Sequence, residues 1–239
     1  MRSSDLSPEE RLTLRGLVLQ EYEEKGANRT LAILTAERGM LRAAAFGSGK
    51  AQSILAGATQ LYTYSEFSLL ARRGGFRVEE AAVVAQFREL TQDFVRFSLA
   101  AYFGQLLTDA APAGLPAPEI LKLALRALYT LSLGKQAPEL IRAAFTLRLM
   151  SLTGFAPELG GEGPCFLPSE GRFADRGVRV TPGAAAAMRH IVDAPTEKVF
   201  AFTLGGESLE TLAAACEQYT AVCSEHTYGT LDYYKKLLV

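Results

Sequence analysis

Seven basic side chains, Arg29, Arg38, Arg42, Lys50, Arg72, Arg73 and Arg77, fall between Gly26 and Val78, where the only acids are Glu37 and Glu66. Cations gathered around short strands suit one chemistry above others, the neutralisation of successive phosphates along a polynucleotide. Aromatic side chains in the same stretch offer faces on which bases stack. Phe46 and Phe67 are assigned to the core by their spacing. Tyr62 and Tyr64, which share a strand face with Glu66, stay open between core filling and base stacking. A solvated basic surface is the bland alternative for the arginines.

Other chemistries fare worse. Gly47-Ser48-Gly49-Lys50 resembles the end of a phosphate-binding loop, but Ala51 follows the lysine and the upstream glycine spacing is absent. Cys216, Cys223 and His226 share a helical face, yet cysteine beside Ala213-Ala214-Ala215 reads as a small buried hydrophobe. His190 reads as a surface or cap residue. Two histidines in the whole chain leave little for acid–base work, and no nucleophile–base signature appears. An enzyme is not expected, and no metal ligands are assigned.

The basic residues need strands to position them. Apolar alternation predicts five strands over 12–22, 29–35, 40–46, 58–71 and 76–87, separated by turns. Gly16 inside the first marks a bend or bulge, and Gly39 and Gly74-Gly75 mark hairpin turns. Five short strands with basic loops predict a small barrel of the kind that binds single strands. After about residue 85 the period becomes helical. Helices are predicted over 87–107, 119–133, 139–153, 182–192 and 208–226, with Pro118-Glu119 and Pro138-Glu139 supplying good starts. Residues 154–182 carry many Gly and Pro and no period, and read as a loop-rich insert. The fold class is α+β multidomain: an OB-fold barrel over 1–84, then an all-α part over 85–239 with the insert at about 154–182.

Whole-chain bounds agree. With 239 residues, 49% hydrophobic and 21% charged, the chain has an ordinary globular composition. A formal net charge of −1 means that any cationic surface must come from uneven distribution. The acids do crowd to the edges of the basic stretch, at Glu21, Glu23, Glu24, Glu79 and Glu80. No window suggests a membrane span, and the charged N-terminus is unlike a secretory signal. Three cysteines point to a reducing compartment, so a cytoplasmic location is expected.

The layout resembles the RecO family of bacterial recombination mediators. The resemblance is carried by Gly16-Leu17-Val18-Leu19, by Asn28-Arg29-Thr30-Leu31, and by Thr35-Ala36-Glu37-Arg38-Gly39-Met40-Leu41-Arg42. Its most specific segment is Arg148-Leu149-Met150-Ser151-Leu152-Thr153-Gly154-Phe155-Ala156-Pro157-Glu158-Leu159. The resemblance implies a DNA-repair protein that is not an enzyme, with an N-terminal OB barrel and a helical part. It implies binding to single- and double-stranded DNA, strand annealing, and work with RecR and SSB to load RecA, in a bacterial cytoplasm and at the nucleoid during repair. It further suggests that Arg126 or Arg142 meets the carboxylate of a partner's tail. The family's insert commonly holds zinc between two Cys-x-x-Cys pairs. Here the first pair's place is Glu162-Gly163-Pro164-Cys165, and 177–182 has no cysteine, so no zinc or other cofactor is expected. A second reading stays open: a protein–protein adaptor on the same fold with little direct DNA binding, favoured by the neutral net charge and by the lone Lys50 in its loop.

Overall fold

The computed structural model describes residues 11–24, 27–50 and 52–238. Five strands, β1 (Arg11–Glu23), β2 (Arg29–Thr35), β3 (Gly39–Ala45), β4 (Thr63–Arg72) and β5 (Gly75–Gln86), close into a barrel of order β1-β2-β3-β5-β4. All neighbours are antiparallel except β3 and β5, which close the barrel in parallel through Ala43 opposite Phe76 and Ala44 opposite Arg77. β1 serves two partners. Its first half pairs with β4 and its second with β2, and the register with β2 shifts between Val18 and Gln20. Gly16 lies where the two pairings overlap, and a Cβ there would sit 2.4 Å from Ile33 Cγ2. The glycine therefore permits close strand approach, while the bulge itself falls just beyond it.

Alternation fills the barrel. Val18, Leu31, Ile33, Leu41, Phe67, Leu69, Phe76 and Val78 point inward and are buried. Phe46 does not join them: it continues the outward parity of Met40, Arg42 and Ala44 and is 54% exposed. Strand β4 is also shorter than the predicted run over 58–71. The chain before it turns repeatedly, and Tyr62 adopts a left-handed conformation with φ 57°. That reversal breaks the parity with Tyr64 and buries Tyr62 to 5% exposure, its backbone N–H donating to Val18 O at 2.8 Å.

By compactness the chain forms two units, one of residues 1–91 with 101–121, the other of 92–100 with 122–239. Residues 101–121 thus group with the strands. Within that unit the β2–β3 turn is tied down: Met40 N–H donates to Pro112 O at 2.9 Å and Gly114 N–H to Arg38 O at 2.9 Å. Gly39, at φ +56°, makes this possible, since a Cβ there would meet Pro112 O at 2.0 Å.

The helices are α1 (Phe94–Ala110), α2 (Pro118–Leu133), α3 (Pro138–Leu152), α4 (Pro182–Asp193), α5 (Gly206–Ser224) and α6 (Gly229–Lys236). In the second unit α3 is central, buried almost all round from Leu140 to Leu147, and it packs against α4 and α5. A helix apolar on every side belongs in a core. Thr181 caps α4, its hydroxyl accepting from Ala184 N–H at 3.1 Å. The insert is ordered rather than loop-like: β6 (Cys165–Leu167), β7 (Arg172–Ala174) and β8 (Val178–Arg179) form a small antiparallel sheet of order β7-β6-β8. No helix among the described residues is long and apolar enough to cross a membrane.

Candidate nucleic-acid interface

The register builds a groove on the outside of the β3–β5 seam. Tyr22 on β1 stands opposite Thr30, Thr30 opposite Ala44, and Ala44 opposite Arg77. This cross-strand row has small side chains at its centre and large ones at its ends. Arg42, two residues from Ala44 on the same face of β3, lies 5.8 Å from the Tyr22 ring centroid, and Arg77 lies 5.9 Å from that of Phe46. Each exposed aromatic thus carries a guanidinium over its face, a favourable electrostatic pairing.

Arg42, Arg72, Arg73 and Arg77, with Phe46 and Thr30, line a depression of about 430 Å³ that has no carboxylate in its wall among the described residues. Arg72 and Arg73 reach it from the β4–β5 hairpin, whose Gly74 turns at φ +90°. A second depression of about 450 Å³ shares Arg42 and Gly75 with the first and adds Arg38. A third, of about 630 Å³, shares Phe46 and Arg77 and continues to Arg11, Glu79 and Glu80. The structure therefore brings Arg38, Arg42, Arg72, Arg73 and Arg77 onto one connected track.

The other two basic candidates lie elsewhere. Arg29 has the inward parity at the barrel's end, and its guanidinium is 2.7 Å from Glu21, which also accepts Leu61 N–H at 2.9 Å. Lys50 is exposed in the turns after β3 and lines none of these depressions. The aromatic expectation is corrected more fully. Tyr62 is buried, which pushes its phenol well above the usual tyrosine range, and it offers no face to a base. Tyr64 is half-buried on β4 near the Arg15–Glu66 pair, away from the track; burial pushes its phenol up as well. The exposed aromatics at the track are Phe46, which lines it although assigned to the core from its spacing, and Tyr22, not singled out at all, which flanks it beneath Arg42. For Phe46 the signal was the alternation of β3 carried one residue past its end; Tyr22 faces outward because the register shift between Val18 and Gln20 reverses the parity of β1, which no alternation discloses.

Of the two arginines suggested for a partner's carboxylate, Arg142 is unsuited. Its side chain is 7% exposed and pairs with Glu217 at 2.9 Å, in the core of the helical unit. Arg126 is half-buried and donates to Glu197 O at 2.8 Å, beside a Lys122–Glu197 pair that holds the Glu197 carboxyl below its usual range.

The insert's residues do not fit zinc. Cys165 has Ala174 and Arg179 as its cross-strand neighbours, a methyl group and a cation where a metal needs further thiolates or imidazoles. No group of three or more His, Cys, Asp or Glu suited to a metal occurs among the described residues. An aromatic cluster holds the sheet from its inner face: Phe166 meets Phe173 at 6.0 Å and Tyr219 of α5 at 5.5 Å, edge to face. Arg189 of α4 lies 4.7 Å from the Phe173 ring, and the Tyr219 hydroxyl donates to Phe155 O at 3.0 Å.

A closed five-stranded OB-type barrel with arginines along its grooved face, followed by a helical part, is the build of a binding protein. Residues 91–230 match the family model described as the recombination protein O C-terminal region. DNA repair protein RecO of Acetivibrio thermocellus is 29% identical over 243 residues, spanning 95% of this chain and 97% of that protein. DNA repair protein RecO of Desulforudis audaxviator is 34% identical over 185 residues, 74% of each chain. The protein of that name from Symbiobacterium thermophilum is 26% identical, over 91% of this chain and 94% of its own. The chain belongs to the RecO family, and its role lies in DNA repair and recombination.

Proposed function

We propose that this chain is a recombination mediator that binds single- and double-stranded DNA along the arginine track of its barrel. Cations set along the groove screen the repulsion between two sugar–phosphate backbones, so complementary strands approach while their bases stay free to pair. In this reading the chain anneals strands and, with RecR, helps load RecA onto SSB-coated single strands. It acts in the cytoplasm, at the nucleoid during repair, and it needs no metal. Arg126 remains the candidate for the carboxylate of an SSB tail.

The observation that carries the reading is the depression whose wall holds Arg42, Arg72, Arg73 and Arg77 and, among the described residues, no acid. The test is oligonucleotide binding by anisotropy across a salt series. Arg72→Ala with Arg73→Ala is expected to weaken single-strand binding and to flatten the salt slope by about 1.4, from about 0.7 per lost phosphate contact. Unchanged affinity and slope would refute the track. The adaptor reading is favoured by the pairing of Arg29 with Glu21 and of Arg77 with Glu79. Retained RecR binding with no DNA binding at low salt would establish it instead.

A further inference from the structure

Arg77 makes two contacts at once at one end of the track. Its guanidinium covers the Phe46 ring at 5.9 Å, and its Nη2 lies 2.9 Å from Glu79 Oε1. The other oxygen of Glu79, Oε2, lies 3.3 Å from Nη2 of Arg11. The Glu79 side chain keeps 19% exposure, against 44% for Arg77 and 74% for Arg11, so the carboxylate is sunk between two solvent-facing guanidiniums. Glu80, its neighbour, is exposed and makes no ion pair among the described residues.

A carboxylate that gives one oxygen to each of two guanidiniums makes the contacts that the two non-bridging oxygens of a phosphodiester would make. We propose that Glu79 is a built-in competitor for the DNA backbone, occupying in the free protein the two arginines that a strand's phosphate takes at this end of the groove. The proposal rests on the DNA-binding reading above and adds its regulation. A strand that enters past Phe46 displaces the carboxylate from Arg77 and Arg11, and the pairs re-form when the strand leaves. Ion pairs between solvent-facing groups are weak enough to exchange in this way. The grip at this end is thereby set low, which suits a protein that must release the duplex it has helped to form.

The experiment is anisotropy with a labelled oligothymidine on the full chain. Glu79→Gln is expected to tighten binding about three- to tenfold at low salt and to steepen the salt slope by about 0.7, for the one phosphate that the two released arginines share. Glu80→Gln removes the same formal charge and should change affinity by less than about twofold. In an Arg11→Ala, Arg77→Ala background Glu79→Gln should bring no gain. An unchanged affinity in Glu79→Gln, an equal gain from Glu80→Gln, or the same gain in the double-alanine background would each overturn the proposal. If Arg72→Ala with Arg73→Ala weakens binding while Glu79→Gln does nothing, the competitor fails and the DNA-binding track stands; if neither has an effect, the track itself fails. Should Glu79→Gln not fold, the wild-type chain decides: the Nε resonances of Arg77 and Arg11 must shift on oligothymidine addition, and resonances that stay in place overturn the proposal.

Discussion

Phe46 and Tyr22 each sit at the end of a strand with a guanidinium over the ring, yet only their exposure separates them from the core aromatics of the same barrel. A base entering the groove can slide between ring and guanidinium, gaining a stack on one side and a cation on the other. Phe46→Ala and Tyr22→Ala are therefore expected to weaken single-strand binding by about 1–3 kcal/mol each, the usual worth of one base–aromatic stack. Duplex binding, in which bases stay stacked on each other, should change little, and Tyr64→Ala should alter neither. Parallel titrations with single-stranded and duplex oligonucleotides check this, and an equal loss on both would count against stacking. The arginines of the track were legible in the sequence because charge type is readable without coordinates. Their partners were not: whether Arg29 meets Glu21 or a phosphate depends on a barrel register that no run of residues discloses. Tyr62 was misplaced for a local reason, a single left-handed residue that flips every parity before β4.

Elements were legible in proportion to their length and their end signals. Helices α2 and α3 begin at Pro118 and Pro138 with Glu in the first turn, so sequence and structure agree to within a residue or so. Strands of two or three residues have no period to detect, which is why the insert read as loop although β6, β7 and β8 pair in register. Helix α6 was missed because it is short and polar; what fixes it is tertiary, Tyr234 fully buried with its hydroxyl donating to Glu139 Oε1 at 2.6 Å. Arg148, within the segment most specific to the family, donates to the carbonyls of Ile191 and Val192 at the C-terminal end of α4, satisfying groups a helix end leaves open. The insert itself hangs on Phe166, which has no exposure and touches both Phe173 and Tyr219. Phe166→Ala should cost about 3–5 kcal/mol, the range for a fully buried aromatic, and lower the melting temperature. Prolonged EDTA treatment should leave the wild-type melt where it was. A melt that falls with chelator would show that metal, and not the aromatic cluster, holds the sheet.

At the scale of the molecule, charge distribution matters more than its sum. A chain with net charge −1 still presents a wall of four arginines with no carboxylate among the described residues, while three acids of the barrel are drawn into pairs, Glu21 with Arg29, Glu66 with Arg15, and Glu79 with Arg11 and Arg77. On the proposed reading such a local field would release counterions from DNA as a basic protein does, but over a short length of strand. Five arginines line the connected depressions, Arg38, Arg42, Arg72, Arg73 and Arg77. At about 0.7 per phosphate on single strands they set a ceiling near 3.5 on the magnitude of the slope of log affinity against log salt. If Arg77 must first leave Glu79, as proposed, the slope measured for the wild-type chain should fall below that ceiling, at about 2–3, and binding should fade steeply between low and physiological salt. A salt series on a short oligothymidine measures it. A slope well above the ceiling would mean that cations outside the barrel track carry the strand, and a slope near zero would mean that phosphates are not what the arginines hold.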